Sequence, residues 1–337
     1  MKRTVLFFII AILLGASISA TAGEYGADFL RIGVGARPLA MGGAFVAINN
    51  DASSSFWNPA ATPHMGRVLL QIDHVPLFNG QAQFNAAALN LTLASQMSLN
   101  VTWIRLGVED VPRFGPLQGS QYERLKNGQN RSTGSPEGYF SDAEDAILVA
   151  VNKTSRFDFF LGSAMNALRL PMQFSAGIRG KYLHQQLDDK FGTGQGLDAG
   201  LLIQIVTDTT IQAQPGAWLG LGVVARDIAR TRIAWNTDTQ HKDVVPLNMQ
   251  IGLAASKYFE SFDARLTLSF DQEVGYRQDI HAGGEILFFN TVALRGGYFR
   301  DNYSVGAGVS FSRFRVDYAF LTHELASTHR VSGVIGF

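Results

Sequence analysis

From residue 97 onward the chain repeatedly sets apolar and polar side chains on alternate positions. Met97, Leu99, Val101 and Trp103 interleave with Ser98, Asn100 and Thr102. Phe262, Ala264, Leu266, Leu268 and Phe270 interleave with Asp263, Arg265, Thr267, Ser269 and Asp271. Tyr303, Val305, Ala307, Val309 and Phe311 oppose Ser304, Gly306, Gly308 and Ser310, and Phe314, Val316, Tyr318 and Phe320 oppose Arg315, Asp317 and Ala319. A period of two is what a strand with unlike faces requires, and it is wrong for a helix. A slip of one residue would exchange the faces, so register is strongly specified. About fourteen such segments lie near 67–75, 84–94, 97–108, 143–154, 173–186, 195–206, 217–227, 247–257, 262–272, 280–288, 291–299, 303–312, 314–321 and 328–337. Most are longer than the five or six residues of an ordinary strand and match the roughly 9–11 of a tilted strand crossing a bilayer.

The connections divide by parity. Those at Ser95-Gln96, Glu260-Ser261, Phe289-Asn290 and Ser312-Arg313 are short and fall at one end of an up-and-down array. The other end receives the Gly-, Pro- and Asn-rich stretch Glu109 to Asp142 and the stretch Ile228 to Pro246. Short turns at one end and long loops at the other describe an outer-membrane barrel. Two connections depart from the pattern: a tight Arg300-Asp301-Asn302 turn on the long side, and Ser155 to Met172 on the short side. The second carries Phe157, Phe159, Phe160, Leu161, Met165, Leu168 and Leu170 and reads as an interfacial helix.

Alternation alone also fits a soluble sandwich, whose apolar faces would meet inside. Strand length, connection parity and the small size of the opposite faces favour an all-β transmembrane antiparallel barrel with a wet interior. In that register Arg179, Lys181, Asp198, Asp263, Arg265, Glu285, Arg295, Arg315 and Asp317 line the lumen. Arg265, placed near the midplane, would cost about 2–4 kcal/mol facing lipid and little facing the lumen. Their expected roles are mutual neutralisation and bonding to whatever fills the barrel, or holding the polar head of a ligand.

Composition narrows the setting. The 337 residues carry 28 basic and 28 acidic groups, so no basic face invites nucleic acid. With no cysteine there is neither a disulfide framework nor a thiolate metal site. Met1-Lys2-Arg3, the apolar run Val5 to Leu14 and Ala20-Thr21-Ala22 form the positive, apolar, small order of a secretory signal over residues 1–22. No later apolar run approaches the length of a membrane helix. The chain ends on an alternating strand, Val331, Gly333, Ile335, Phe337. A terminal aromatic of this kind resembles the signal read by the outer-membrane barrel assembly machinery, which makes Phe337 the expected assembly signal and that machinery a partner alongside outer-membrane lipid.

Between the signal and the first strand, residues 23–65 lack period-two order, and residues 66–337 form the barrel. The segment's glycines miss the dinucleotide-binding spacing because position 38 is proline. Phe45, Val46, Ile48, Phe56 and Trp57 are too apolar for a linker and suit a plug sheltered in the barrel. Gly35-Ala36-Arg37, Met41-Gly42, Ala44-Phe45, Asp51-Ala52 and Trp57-Asn58-Pro59-Ala60 resemble the N-terminal signature of PorV/PorQ-type outer-membrane proteins. That resemblance implies a FadL-like architecture of fourteen strands with an N-terminal hatch, whose turn would be Asn58, Pro59 and Ala60. It implies two functions: protein secretion or surface assembly of type IX kind, with secreted cargo proteins as partners, or uptake of long-chain fatty acids or other hydrophobic small molecules.

Catalytic chemistry is sparse. The seven histidines form no i, i+4 pair, so no metal is expected, and no cofactor motif occurs. Gly-x-Ser-x-Gly is absent. Asp73-His74, and His184 with Asp188 and Asp189, are the pairs that could supply a rim base, and the chain is expected not to be an enzyme.

Overall fold

The computed structural model describes residues 26–62, 68–115, 119–126, 135–162, 168–206, 210–211, 214–275, 278–322 and 326–337. The expected signal, residues 1–22, lies outside them. Alternation resolves into fourteen barrel strands. They are β1 (Val68–Leu77), β2 (Ala82–Thr92), β3 (Met97–Arg113), β4 (Gly138–Leu161), β5 (Leu168–Leu187), β6 (Lys190–Val206) and β7 (Ala217–Arg226). The second half supplies β8 (Asn248–Phe259), β9 (Ala264–Gly275), β10 (Ile280–Phe288), β11 (Val292–Phe299), β12 (Asn302–Phe311), β13 (Phe314–Leu321) and β14 (Thr328–Gly336). Each strand pairs antiparallel with the next, and β14 closes on β1 from Leu69 opposite Gly336 to His74 opposite Val331. Closure leaves no free edge around the wall, which a lipid-bathed sheet requires.

The faces sort as a membrane barrel demands. Ile147, Ile178, Leu253, Leu268, Leu294, Val305 and Val316 point outward and are exposed, while Ser98, Thr102, Asn152, Thr267 and Ser269 point inward and are buried. Exposed Phe262, Phe289, Phe311, Phe314 and Phe337 stand at the end where the short turns lie, as an aromatic girdle at one rim. Phe337 is held there by two backbone bonds with Val68.

Four sequence expectations need correction. The stretch Ser155 to Met172 is not a helix where it is described. β4 and β5 run on as a hairpin, with Phe157 opposite Met172 and Phe159 opposite Leu170. The reason is local: Phe157, Phe159 and Leu161 alternate with Arg156 and Asp158, which is a strand period rather than a helical one. The loop from 109 to 142 is shorter than expected, because β3 passes a bulge between Val108 and Val111 and continues to Arg113 opposite Gly138. The stretch from 228 to 246 contains its own two strands, Arg232–Trp235 and Lys242–Val244, the first paired to β6. Finally, Asp263 is not on the lumen wall, and Arg265 is not at midplane. Asp263 sits in the turn before β9 at φ 44°, accepting from the Tyr258 hydroxyl at 2.5 Å, and Arg265 is the second residue of β9.

The described N-terminal residues, 26–62, fold against the inward faces of strands all round the barrel. A 3-10 turn (Asp28–Ile32), α1 (Ala36–Ala40) and α2 (Ser54–Trp57) supply their regular structure. Phe45, Met41, Ala47 and Ile48 are fully buried among them.

Candidate functional site

Three sets of contacts seat the N-terminal segment. At α1, the Gly35 and Ala36 amides donate to Asp73 Oδ2 (2.8 Å) and Ser332 Oγ (2.7 Å). Next to it, Gly42 adopts φ 64°, and a Cβ there would stand 2.5 Å from the Tyr298 carbonyl oxygen of β11, so only glycine fits. The Val46 amide donates to Asp271 Oδ2 at 2.9 Å.

The second set is ionic. Arg37 donates to Glu285 through Nε (2.8 Å) and Nη2 (2.7 Å), and its Nη1 reaches Asp51 Oδ2 at 3.3 Å. Arg295 bridges Glu285 (2.6 Å) and Asp317 (2.9 Å), and Arg315 joins Asp317 (2.6 Å) to Asp51. Three cations thus meet three carboxylates, two of the six belonging to the N-terminal segment. Burial pushes the Asp51 carboxyl up, but the Arg315 and Arg37 guanidiniums and the bonds from Ser53 together outweigh it and hold the group below the usual carboxylate range.

The third set closes on α2. Its last carbonyls have no helical partner. Arg179 Nη1 donates to the Ser55 (3.0 Å) and Phe56 (2.6 Å) carbonyls, and Arg226 Nη2 to that of Trp57 (3.0 Å). Arg179 and Lys181 share Asp198, at 2.7 and 3.0 Å, and Lys181 also reaches Asp227 at 2.7 Å. Asn58 follows α2 in extended conformation, as the residue before a proline should. Its Nδ2 donates to the Val46 (2.9 Å) and Leu201 (3.1 Å) carbonyls, and its Oδ1 accepts from the Ala60 amide at 3.0 Å. The Asn58-Pro59-Ala60 turn rests on Gly200 of β6, where an added Cβ would lie 2.0 Å from Asn58 Oδ1.

On the long-loop side of this segment lies a cavity of about 580 Å³. Leu30, Ile32, Leu39, Trp57, Leu106 and Leu321 supply much of its apolar lining, and Arg226, Gln250, Glu273, His281 and Arg330 its polar lining. A chamber of this size falls within the range of small-molecule sites.

Of the nine lumen residues expected, Arg179, Lys181 and Asp198 meet at α2, and Glu285, Arg295, Arg315 and Asp317 meet at Arg37 and Asp51. Arg265 faces inward away from both groups, 3.5 Å from Ser256 Oγ, and Asp263 is the turn residue described above. Sequence reasoning missed Gln250, Glu273 and His281, although the parity that turned Glu285 inward does the same for His281. The candidate catalytic pairs do not form. Asp73 faces inward while His74 faces outward to Asn85 at 2.7 Å. His184 lies against Phe191, and Asp188 pairs with Arg113. No group of three metal-ligating side chains occurs among the described residues.

No protein-family model and no curated protein matches the sequence. Among solved structures the chain is similar to the Pseudomonas putida toluene transporter TodX, at TM-score 0.48 and 12% identity over 90% of this chain and 97% of that one. The Ralstonia pickettii toluene transporter TbuX gives 0.46 and 12% over 90% and 97%. The KdgM porin gives 0.33 and 8% over 80% and 99%. At such identity and overlap these likenesses carry no argument about cargo.

Proposed function

We propose that the protein is an outer-membrane channel of FadL-like design, whose N-terminal segment is a hatch and whose cavity takes up hydrophobic small molecules. The observation that carries this reading is the cavity itself, largely apolar in lining and floored by a segment bonded to the barrel wall on several sides. A water-filled porin would have a polar passage there. Apolar surface removed from water favours an apolar guest by about 25 cal/mol per Å². Secretion or surface assembly would place the working surface on the outer loops, and the cavity does not call for that role.

Accumulation of radiolabelled propylbenzene by cells carrying the protein in their outer membrane tests the reading. Uptake should exceed that of cells without it, and Ala82→Trp, which fills the cavity from β2, should remove the difference. Equal uptake in all three strains would refute it. The hatch is tested separately in planar bilayers, where deleting residues 26–62 should raise ion conductance.

A further inference from the structure

One wall of the cavity is lined by side chains that carry buried polar atoms with nothing to bond. Gln250 on β8, Glu273 on β9 and His281 on β10 all line it, and each is more than nine-tenths buried. Gln250 Nε2, Glu273 Oε2 and His281 Nε2 have no hydrogen-bond partner. Buried polar groups are ordinarily paired, so three unpaired atoms on one wall mark a place that expects a guest. They are neighbours. Gln250 stands opposite Glu273 in the ladder, and His281 Nε2 lies 3.9 Å from Glu273 Oε1, too far for a hydrogen bond.

The far ends of two of these side chains define what the near ends can do. Gln250 Oε1 accepts from Arg226 Nη1 at 2.8 Å, which leaves the amide NH2, a donor, as the unpaired end. His281 Nδ1 lies 2.8 Å from the Gly42 carbonyl, which can only accept, so Nδ1 carries a proton and, with the ring neutral, Nε2 is an acceptor. Glu273 Oε2 is an acceptor as well. The wall therefore offers one donor and two acceptors. A hydroxyl group answers this set, giving its proton to Glu273 or His281 while accepting from Gln250. A carboxylate brings only acceptors and sets its charge against Glu273. Arg226, the guanidinium beside these three side chains, is committed to Gln250 and the Trp57 carbonyl, while Arg330, with its Nε unpaired, lines the cavity from β14, away from this patch. A bare hydrocarbon leaves all three atoms unpaired. Phe299, stacked on His281 at 4.3 Å between ring centroids, supplies an apolar surface beside the polar patch.

We infer that Gln250, Glu273 and His281 form a polar subsite that selects hydroxyl-bearing apolar ligands, alcohols or phenols, over carboxylates and hydrocarbons of the same skeleton. The inference rests on the reading of the cavity as a site for apolar molecules. Calorimetric titration of the full-length protein in lipid nanodiscs with 4-propylphenol, propylbenzene and 4-propylbenzoate tests it. The phenol should bind roughly tenfold or more tighter than either analogue. Glu273→Leu and Gln250→Leu should each bring the phenol down to the affinity of propylbenzene and leave propylbenzene unchanged. Equal binding of phenol and propylbenzene to the unaltered protein would overturn the subsite, even if both variants fail to fold, and would leave the apolar-ligand reading standing. Tightest binding by the benzoate would also overturn the subsite. Binding of none of the three would overturn both readings.

Discussion

Glu285 holds the N-terminal segment to the wall, and its removal can be worked through from the contacts. The network contains Arg37, Arg295 and Arg315 against Asp51, Glu285 and Asp317, so its formal charge is balanced. Glu285→Leu leaves three guanidiniums sharing two carboxylates, and Arg37 keeps one ionic contact, to Asp51 at 3.3 Å, beside its bond to the Asn50 carbonyl at 3.0 Å. Breaking a buried pair from one side costs about 3–5 kcal/mol, because the surviving charge stays desolvated without its partner. Arg37→Leu leaves the opposite surplus and a similar loss. The double variant removes one charge of each sign and keeps Arg295–Asp317, Arg315–Asp317 and Arg315–Asp51. Its loss should therefore fall short of the sum of the singles by about 1–3 kcal/mol. Seating can be followed by urea titration of Trp57 fluorescence in detergent and by the frequency of open events in planar bilayers. Both singles should unseat at lower urea and open more often, and the double should lose less than the two single losses added together. A double variant as unstable as the two singles added together would refute charge balance as what holds the segment.

Other consequences follow from single positions. Gly200→Val should displace the Asn58-Pro59-Ala60 turn and raise bilayer conductance, since the new Cβ would fall 2.0 Å from Asn58 Oδ1, and unchanged conductance would show that the turn does not bear on the wall. Asp51 has its native carboxyl depressed, so its contribution is complete above the ordinary value near 3.9 and is lost as pH falls through the lower native one. The difference in Trp57 fluorescence between the unaltered protein and Asp51→Asn should accordingly hold steady from pH 7 down to about 4 and shrink only in stronger acid. Leu268→Arg, on the exposed face of β9, should destabilise the barrel by about 2–4 kcal/mol when folding into lipid vesicles is followed by gel mobility. A loss below 1 kcal/mol would mean that this face does not meet hydrocarbon.

The barrel could be read from the sequence because its information is periodic and redundant. A strand such as β12 repeats the same inside–outside choice from Tyr303 to Phe311, and each repetition confirms the register of the last. Strand ends were harder, because the alternation of Phe157, Phe159 and Leu161 competes with an apolar density that also suits a helix. The N-terminal segment has no period to exploit. Its path depends on contacts as distant as Ala36 with Ser332 and Arg37 with Glu285, and nothing local in the chain announces such partners. The charged lumen residues were visible as a set, yet their division into two groups was not. That division follows from where α1 and α2 approach the wall, which is a property of the folded segment.

The balance of the interior also separates structural polarity from functional polarity. Around Arg37 and at α2, nearly every inward charge has an opposite charge or a carbonyl from the same chain within hydrogen-bonding distance, so these groups are explained by holding the N-terminal segment in place. Elsewhere in the lumen, Asn90 and Asn152 do the same with the Ala52 and Ala60 carbonyls. Asn152 keeps its Oδ1 unpaired but does not line the cavity, and the patch on β8, β9 and β10 does. Gln250 and His281 are each anchored at one end and unsatisfied at the other, and both residues line the cavity. A fold whose other local choices agree tends to break its own rules where it works on something else. That contrast, rather than the number of charges in the lumen, is the reason to look for cargo recognition at Glu273 and not at Glu285.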